Sequence, residues 1–387
     1  MVKTFNIDES LAKLVDKTTF LKTLNYIDSV EVKTPVLVID GDKLRRNVVS
    51  IGRGINNSKV FYAVKANPST EVLGFLERTG VGFEISSMGE LNMLAALGVA
   101  PQRIISSNPV KIPDFITAAY NYGIRLFSLD SPAEVKKMSA LAPGSSVYMR
   151  LSVPNEGSEW PLSRKFGVEI EEVFSLIKMS ADYGLNPVGV TFHVGSQCNN
   201  IYNWNIAVDK AGHVFDMASA AGIVLSVLNI GGGYPIKYTR DVPGVEKIEQ
   251  NIDTIIRQRF SADVEIYLEP GRSMVGDAGI MVSRVTGKAQ RLNEKWLYID
   301  AGVFNGLMES IGGIKYSYIV ETAAHTAAKQ QWVLAGPSCD SFDVIDKNVY
   351  LNEPEPGDVI LVLSAGAYTV SYASEFNGCA IPSTVII

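Results

Sequence analysis

The feature that most constrains the fold is a regular alternation of short apolar runs with helical segments. Continuous apolar strands separated by helices are typical of a parallel sheet buried on both faces. Eight such strand and helix units predict an α/β fold, specifically a (β/α)8 TIM-like barrel. The eight runs are VFYAVK (60–65), GFEIS (82–86), RIISS (103–107), RLFSL (125–129), SVYMRL (146–151), GVTFHV (189–194), VLNIGG (227–232) and EIYLEP (265–270).

The segments between these runs have helical spacing, and several begin with Ser, Asp or Pro, as helix starts do. Examples are STEVLGFLERT (69–79) and PDFITAAYNYG (113–123). After about residue 275 the pattern changes to strand-like pieces separated by Gly, Pro and Asn turns. We therefore predict a barrel over residues 35–272 and a second, mostly β C-terminal domain over 273–387. The segment 1–34 could pack with either part, and we expect it to join the β domain.

Composition indicates an ordinary globular protein. The 387 residues are 47% hydrophobic and 20% charged, and the net charge of −6 without basic runs argues against nucleic acid or an anionic membrane as a partner. No apolar leader or membrane-length apolar stretch is present, so we expect a cytoplasmic protein. The wide spacing of three cysteines argues against a disulfide framework, and three histidines without HxxxH or CxxC spacing predict no metal site.

Polar and charged residues stand where the apolar runs end, and in such a barrel the chemistry collects at the carboxyl ends of the strands. These residues are Lys65, Glu84, Arg150, His193, Ser196, Gly231, Gly232, Gly233, Glu269 and Arg272. The glycine run lacks the spacing of a dinucleotide fingerprint, and no Walker loop is present. Its backbone amides and Arg272 could instead hold a single phosphate.

Lys65 ends an apolar run, where it could either reach water or serve as a reactive amine. A lysine, a phosphate site and a carboxylate together suit pyridoxal phosphate, which carries an aldehyde, a phosphate and a ring nitrogen. Partial desolvation is expected to shift Lys65 toward its neutral, nucleophilic form.

Six motifs, taken together and in order, carry a family resemblance: FYAVKAN, HVGSQ, GGGYP, EPGR, GPSCDSFD and GAYTVSYASEFNG. They resemble the fold-type III pyridoxal-phosphate decarboxylases, especially the ornithine decarboxylase branch, over nearly the whole chain. The resemblance implies a homodimer with active sites shared across the interface, and decarboxylation of L-ornithine to putrescine. Alternatives are a lysine or dual lysine/ornithine decarboxylase, and a catalytically silent relative that binds a partner.

The resemblance also implies roles for the residues around the cofactor. Lys65 would form the Schiff base, and Glu269 would pair with the pyridine nitrogen, where racemases of this fold type place an arginine. Without the resemblance, Glu269 could be a helix-start acid paired to Arg272, and His193 a core residue rather than a ring that stacks on the cofactor. The other cofactor positions would be Arg150, Ser196, Gly231, Gly232, Gly233, Gly271, Arg272 and Tyr368, with Glu90 nearby.

On the substrate side, Cys339 resembles the proton donor, Asp340 the acid that holds a distal ammonium, and Asp300 a second such acid. Phe376 resembles the aromatic residue beside the substrate. Without the resemblance, Cys339 would be a small buried apolar residue and the two acids ordinary turn residues.

Two further groups of residues bear on assembly and specificity. Gly366 and a pair of Lys165 with Asp343 match dimer-interface positions of the family. The chain departs from the family in having Glu84 where aspartate is common, and in the segment AGVFNGLME after Asp300. The choice between ornithine and lysine therefore stays open, because one methylene changes specificity by only about 1–3 kcal/mol.

Overall fold

Eight parallel strands form a closed barrel in the computed structural model, which describes residues 4–5, 9–160, 165–322 and 328–387. The two edge strands of the sheet meet where Ser106 pairs with Phe127, and the Ser128 N–H donates to the Ser106 carbonyl at 2.8 Å. The predicted barrel is confirmed, and each predicted run overlaps one of its strands, although the first and the sixth strand begin two and three residues before their runs. In chain order the strands are Ser58–Ala63, Gly82–Glu84, Ile104–Ile105, Leu126–Leu129, Ser146–Arg150, Asn186–Thr191, Val227–Asn229 and Glu265–Leu268.

A helix follows every barrel strand and covers the outer face of the sheet. Helix starts use local capping: the Ser87 and Ser131 hydroxyls each accept an N–H from the residue three positions on. Gly123, at φ 111°, ends one helix in the left-handed conformation that glycine adopts readily. The helices after the strands are Thr70–Glu77, Met88–Ala96, Pro113–Tyr122, Pro132–Leu141, Ile170–Asp182, Tyr202–Ala220, Val245–Arg259 and Arg272–Val275, and Gly41–Ser50 precedes the first strand.

A second, mostly antiparallel sheet forms the β domain. Its central strand, Gly279–Arg291, pairs at one end with Val36–Ile39 and Val359–Val362, and at the other end with Glu294–Ile299. This confirms the predicted change from a barrel to a β domain. The remaining strands of the sheet are Thr4–Phe5, Tyr318–Thr322, Gln330–Ala335, Val344–Leu351 and Ser383–Ile386.

The N-terminal segment contacts this sheet. Strand Thr4–Phe5 pairs with Tyr318–Thr322, and Phe20, on helix Lys17–Ser29, packs among buried residues of the sheet such as Ile280. A short helix, Glu9–Ala12, lies between them in sequence. Strand Val36–Ile39 also pairs in this sheet, although it falls inside the predicted barrel range of 35–272. The domain boundaries themselves stay a prediction.

Within residues 4–5, 9–160, 165–322 and 328–387, no helix is both long and apolar enough to cross a membrane. In the same ranges, no group of three or more His, Cys, Asp or Glu side chains is arranged to hold a metal ion. The three cysteines are free thiols.

Candidate active site

The largest group of predicted site residues lines one cavity of about 740 Å³ at the carboxyl ends of the barrel strands. A smaller adjoining space is lined by Gly233, Gly271 and Arg272. The barrel thus brings residues from separate strands to one place, as parallel strands do. Predicted residues that line the larger cavity are Lys65, Glu84, Arg150, Lys165, His193, Ser196, Glu269 and Tyr368.

Lys65 lies in a short 3-10 turn, Val64–Ala66, directly after the first barrel strand. Its Nζ is 2.8 Å from Oε2 of Glu84, and its side chain is 47% exposed within the cavity. Burial lowers the pKa of Lys65, but the negative charges of Glu84 and Glu269, together with Tyr368, outweigh burial and raise the pKa. The predicted shift toward a neutral amine is therefore wrong, because Glu84 stabilises the ammonium.

Glu269 follows the last barrel strand and is buried. Its Oε1 accepts hydrogen bonds from Asn229 Nδ2, at 2.5 Å, and from the Ser107 hydroxyl. Burial and then the charge of Glu84 raise the pKa of Glu269, while Lys65, Ser107 and Asn229 act to lower it. The alternative pairing of Glu269 with Arg272 is wrong, since Arg272 has another acid.

That acid is Glu309, which binds the buried Arg272 guanidinium through both of its carboxylate oxygens. Oε2 and Oε1 of Glu309 accept from Nη1 and Nη2 at 2.7 and 2.6 Å. Nη1 also donates to the Tyr238 hydroxyl, and Nε and Nη2 donate to Ser196 Oγ at 3.3 and 3.2 Å. The guanidinium carbon lies 4.7 Å from the ring centre of Tyr368. Sequence reasoning missed Glu309 and Tyr238 because no local pattern relates them to Arg272.

The glycine run after strand Val227–Asn229 is tightly packed by backbone. A Cβ on Gly232 would lie 2.4 Å from the carbonyl oxygen of Glu269, and one on Gly233 would lie 2.4 Å from that of Gly195. Gly233 also has φ +96°. Among the described residues, the N–H groups of Gly232 and Gly233 have no hydrogen-bond acceptor. Only glycine therefore fits at positions 232 and 233, and the N–H groups of both residues are free to bind a ligand.

His193 follows strand Asn186–Thr191, and its ring lines the cavity, so the alternative of a core histidine is wrong. The Gly195 N–H donates to Nδ1 at 3.0 Å, which makes Nδ1 an acceptor and leaves the proton of a neutral ring on Nε2. Burial, followed by Arg150 and Lys65, lowers the pKa of His193 well below its usual range. The ring is therefore neutral at physiological pH.

Arg150 and Glu90 complete the cofactor-side predictions. Within the described part of the chain, the Arg150 guanidinium makes no hydrogen bond or ion pair, although it lines the cavity. Glu90 lies in the first turn of helix Met88–Ala96 and accepts the Ser86 N–H at 2.5 Å. Burial and the neighbouring charge of Glu84 raise the pKa of Glu90 to about 7.

The substrate-side residues of the β domain lie outside this cavity. Cys339 is exposed, with Sγ 3.4 Å from Asn377 Oδ1, so the alternative of a buried apolar cysteine is wrong. Oδ1 of the exposed Asp340 accepts the Phe342 N–H at 2.8 Å. The Phe376 ring packs 4.7 Å from that of Phe304. One chain alone therefore does not bring these residues to Lys65.

Asp300 is placed differently from the prediction. Its Oδ1 accepts from the Ser283 hydroxyl at 2.5 Å and from the Arg284 N–H at 3.0 Å, and its Oδ2 accepts from the Thr34 hydroxyl at 2.5 Å. The carboxylate is thereby held inside the β domain, against strand Gly279–Arg291. We correct its assignment from a substrate-binding acid to a residue that ties strands together.

The predicted interface residues have contacts within one chain. The buried Asp343 accepts the N–H groups of Val303, at 2.8 Å, and Ser338, at 2.9 Å, so Lys165 does not pair with it inside a chain. A Cβ on Gly366 would lie 1.9 Å from the Val275 carbonyl oxygen. Gly366 is therefore required by packing between the sheet and the barrel, whatever its place at an interface.

Comparison with known proteins gives the family. The model described as "Pyridoxal-dependent decarboxylase, pyridoxal binding domain" matches residues 42–276. The chain belongs to the pyridoxal-dependent decarboxylases. It is a carboxy-lyase of the fold-type III class, and its cofactor is pyridoxal phosphate.

Relatives of this decarboxylase include enzymes named for basic amino acids. It is 35% identical to the lysine/ornithine decarboxylase of Selenomonas ruminantium, over 92% of this chain and 90% of that protein. It is 33% identical to the ornithine decarboxylase of Schizosaccharomyces pombe, over 82% of this chain and 75% of the relative. A lysine/ornithine decarboxylase from Vibrio vulnificus, solved with cadaverine, superposes with a TM-score of 0.87 at 27% identity, covering 97% and 100% of the two chains. The reaction class is thus basic amino acid decarboxylation.

The residues present fit the cofactor. The cavity combines an amine at Lys65, a carboxylate at Glu269 with no partner on its Oε2 among the described residues, and an adjoining space lined by Arg272 and the glycine backbone. The open N–H groups of Gly232 and Gly233 suit phosphate oxygens. These groups match the aldehyde, ring nitrogen and phosphate of pyridoxal phosphate.

Proposed function

We propose that this decarboxylase converts L-ornithine to putrescine and carbon dioxide. The observation that carries the proposal is the convergence of Lys65 and Glu269 on one cavity, with the free oxygen of a carboxylate available to a ring nitrogen. A carboxylate there keeps the ring positively charged, which favours loss of carbon dioxide.

Bound pyridoxal phosphate supplies an aldehyde for the substrate amine and a ring that accepts the electron pair left by carbon dioxide. Lys65 would hold this aldehyde once its ammonium has given a proton to Glu84, whose Oε2 lies 2.8 Å from Nζ. His193 offers the face of a neutral imidazole, so it does not repel a cationic ring. Arg150 supplies a positive charge on the cavity wall.

The phosphate end of the cofactor is assigned to backbone and hydroxyl donors around Arg272. The residues are Ser196, the three glycines 231–233, Gly271, Arg272 and Tyr368. Because Glu309 already neutralises Arg272, we expect the amides of Gly232 and Gly233 to carry a large part of the phosphate binding.

We further propose a homodimer in which Cys339, Asp340 and Phe376 enter the partner's cavity. Support comes from their exposure beside two other aromatic rings, Phe304 and Phe342. In this arrangement the Cys339 thiol returns a proton to the substrate carbon, and Asp340 holds the distal ammonium of the substrate.

Dual activity on lysine and ornithine is the second candidate. Its support is the relative of that name at 35% identity, together with the position of Asp300 away from the cavity. With one proposed acid rather than two, less of the site constrains where the distal ammonium lies.

The deciding experiment supplies equal concentrations of L-ornithine and L-lysine and measures putrescine and cadaverine. We expect putrescine to predominate; comparable amounts would favour the dual enzyme, and cadaverine alone would contradict the proposal. Lys65→Ala serves as the control and should abolish both products. A silent relative would bind pyridoxal phosphate weakly or not at all, and would give no product from either amino acid.

A further inference from the structure

Three buried side chains surround Glu269 and have no role in the proposed function: Ser107, Tyr148 and Asn229. Ser107 lies two residues after strand Ile104–Ile105, Tyr148 lies in the middle of strand Ser146–Arg150, and Asn229 ends strand Val227–Asn229. Their polar atoms meet at a single point, the Oε1 atom of Glu269 and its immediate surroundings. A buried polar cluster of this kind specifies one arrangement when all its members are satisfied.

The hydrogen bonds make the two oxygens of Glu269 unequal. Asn229 Nδ2 donates to Oε1 at 2.5 Å, and the Ser107 hydroxyl donates to the same atom. Tyr148 OH supports both donors, at 2.5 Å from Ser107 Oγ and 3.3 Å from Asn229 Nδ2. Oε2 has no hydrogen-bond partner among the described residues. One oxygen is thus held by protein while the other remains free.

Asn229 also reaches the glycine run. Its Oδ1 accepts the Gly231 N–H at 2.9 Å, where the backbone takes φ +66°. The amide orientation follows from these contacts, since a carbonyl oxygen must face the N–H and an NH₂ must face the carboxylate. One side chain therefore touches both the acid and the first residue of the glycine run.

We propose that Asn229, assisted by Ser107, is a positioning residue that leaves Glu269 Oε2 free for the cofactor nitrogen and couples this acid to the glycine run. The inference rests on the proposed role of Glu269. This role would explain why Glu269 offers only Oε2 to the cofactor. It would also explain why the acid at the nitrogen end and the glycine run at the phosphate end keep a constant separation.

Charge supports this role. The charged or titratable groups that influence Glu269 are Glu84, Lys65, Arg150 and Tyr148. Burial and Glu84 raise the pKa of Glu269, and the neutral donors Asn229 and Ser107 act in the opposite direction. Neutral donors favour the ionised carboxylate without cancelling the negative charge that the ring nitrogen needs.

The test compares Asn229→Ala with a matched control, Asn305→Ala. Asn305 is equally buried, its Oδ1 accepts the Gly302 N–H at 2.7 Å, and its Nδ2 donates to the carbonyls of Asp300 and Ala380 at 3.0 Å. It makes no contact with Glu269. Both enzymes are loaded with pyridoxal phosphate labelled with ¹⁵N in the ring, and the ¹⁵N chemical shift and kinetics are measured.

We expect Asn229→Ala to move the ¹⁵N shift toward the value of neutral pyridine, because a more basic carboxyl takes more of the shared proton. We also expect kcat to fall roughly 10- to 100-fold, the range that loss of a hydrogen bond to a charged group produces, with a smaller change in KM. Ser107→Ala, which removes less volume, should shift the signal in the same direction. Asn305→Ala should leave it unchanged.

An unchanged ¹⁵N shift and kcat in both Asn229→Ala and Ser107→Ala would overturn the inference. Glu269→Gln separates this failure from that of the proposed function. If Glu269→Gln alters the ¹⁵N shift while the Asn229 and Ser107 variants do not, only the positioning role is lost. If Glu269→Gln also leaves the shift unchanged, the proposed role of Glu269 fails as well.

Discussion

At the scale of single residues, the site is built from charges that are balanced in pairs. Glu84 balances Lys65, and Glu309 balances Arg272. Glu269 instead has neutral donors on one oxygen, and Arg150 has no ion-pair partner in the described part of the chain. An unbalanced acid and an unbalanced cation on one cavity wall are available to a ligand that carries both signs of charge, as pyridoxal phosphate does. We interpret the two unpaired charges as functional, because a charge that is removed from water without a partner destabilises the fold.

Asp300 and Asp340 give a paired prediction about substrate binding. We expect Asp340→Asn to raise KM for ornithine roughly 10-fold or more, since a charge-assisted bond to the distal ammonium would be lost. Asp300→Asn should leave KM nearly unchanged and lower the free energy of unfolding, because its carboxylate holds Thr34, Ser283 and Arg284. Steady-state kinetics and urea unfolding of both variants check this. The reverse result would restore Asp300 as the substrate acid.

Glu90 gives a prediction about pH. Its pKa of about 7 in the folded chain lies above the ordinary 4.5, so between these values the folded state binds more protons than the unfolded state. Folding stability contributed by this group therefore falls as pH rises from about 4.5 to 7. From pH 5 to pH 8 the free energy of unfolding of the wild type should therefore fall by roughly 1–2 kcal/mol more than that of Glu90→Gln, a figure reduced for the partial exposure of the carboxyl. Urea unfolding of wild type and variant without cofactor, at pH 5 and pH 8, measures it; parallel losses in both proteins would contradict it.

At the scale of secondary-structure elements, one helix holds the entry to the first barrel strand. Helix Val245–Arg259 places the buried Glu249 against the loop before that strand. The two carboxylate oxygens accept the N–H groups of Gly52, at 2.7 Å, and Gly54, at 2.9 Å. The strand that starts after this loop ends next to Lys65, so the helix indirectly sets where the reactive amine lies.

We expect Glu249→Ala to lower the free energy of unfolding by about 2–4 kcal/mol, because two backbone donors lose their acceptor. Glu246→Ala is the matched control, since Glu246 is exposed on the same helix, and it should change stability by less than about 0.5 kcal/mol. Urea unfolding followed by circular dichroism provides the measurement. Equal losses in the two variants would show that removal of an acidic side chain from this helix, and not loss of the loop contact, is responsible, because alanine itself favours the helix.

At the scale of the whole molecule, the functional residues fall into two groups that one chain keeps apart. Lys65 and Glu269 line the barrel cavity, whereas Cys339 and Asp340 lie exposed beside an aromatic cluster of Phe304, Phe342 and Phe376. In a symmetric dimer, the exposed residues of each chain could complete the barrel cavity of the other chain, because the same surface is used on both subunits.

Mixing two inactive variants tests this arrangement. After Lys65→Ala and Cys339→Ala dimers are dissociated and reassociated together, we expect about one quarter of wild-type diamine production, since half the dimers carry one intact site of two. Putrescine formation before and after mixing is the measurement. The parents mixed without dissociation provide the control, and no recovery after proven subunit exchange would contradict a shared site.

The sequence by itself determined the barrel, because eight apolar runs alternating with helical spacing leave few other folds. The sequence also predicted site residues such as Lys65, His193 and Glu269. The end of a strand can be recognised from neighbouring residues, and the carboxyl ends of parallel strands meet at one edge of the barrel. Tertiary structure alone decided the partners: Ser107 and Asn229 for Glu269, Glu309 for Arg272, and the β-domain contacts that remove Asp300 from the cavity. The physical reason is that a hydrogen bond depends on distance and direction between distant segments, which local spacing does not encode.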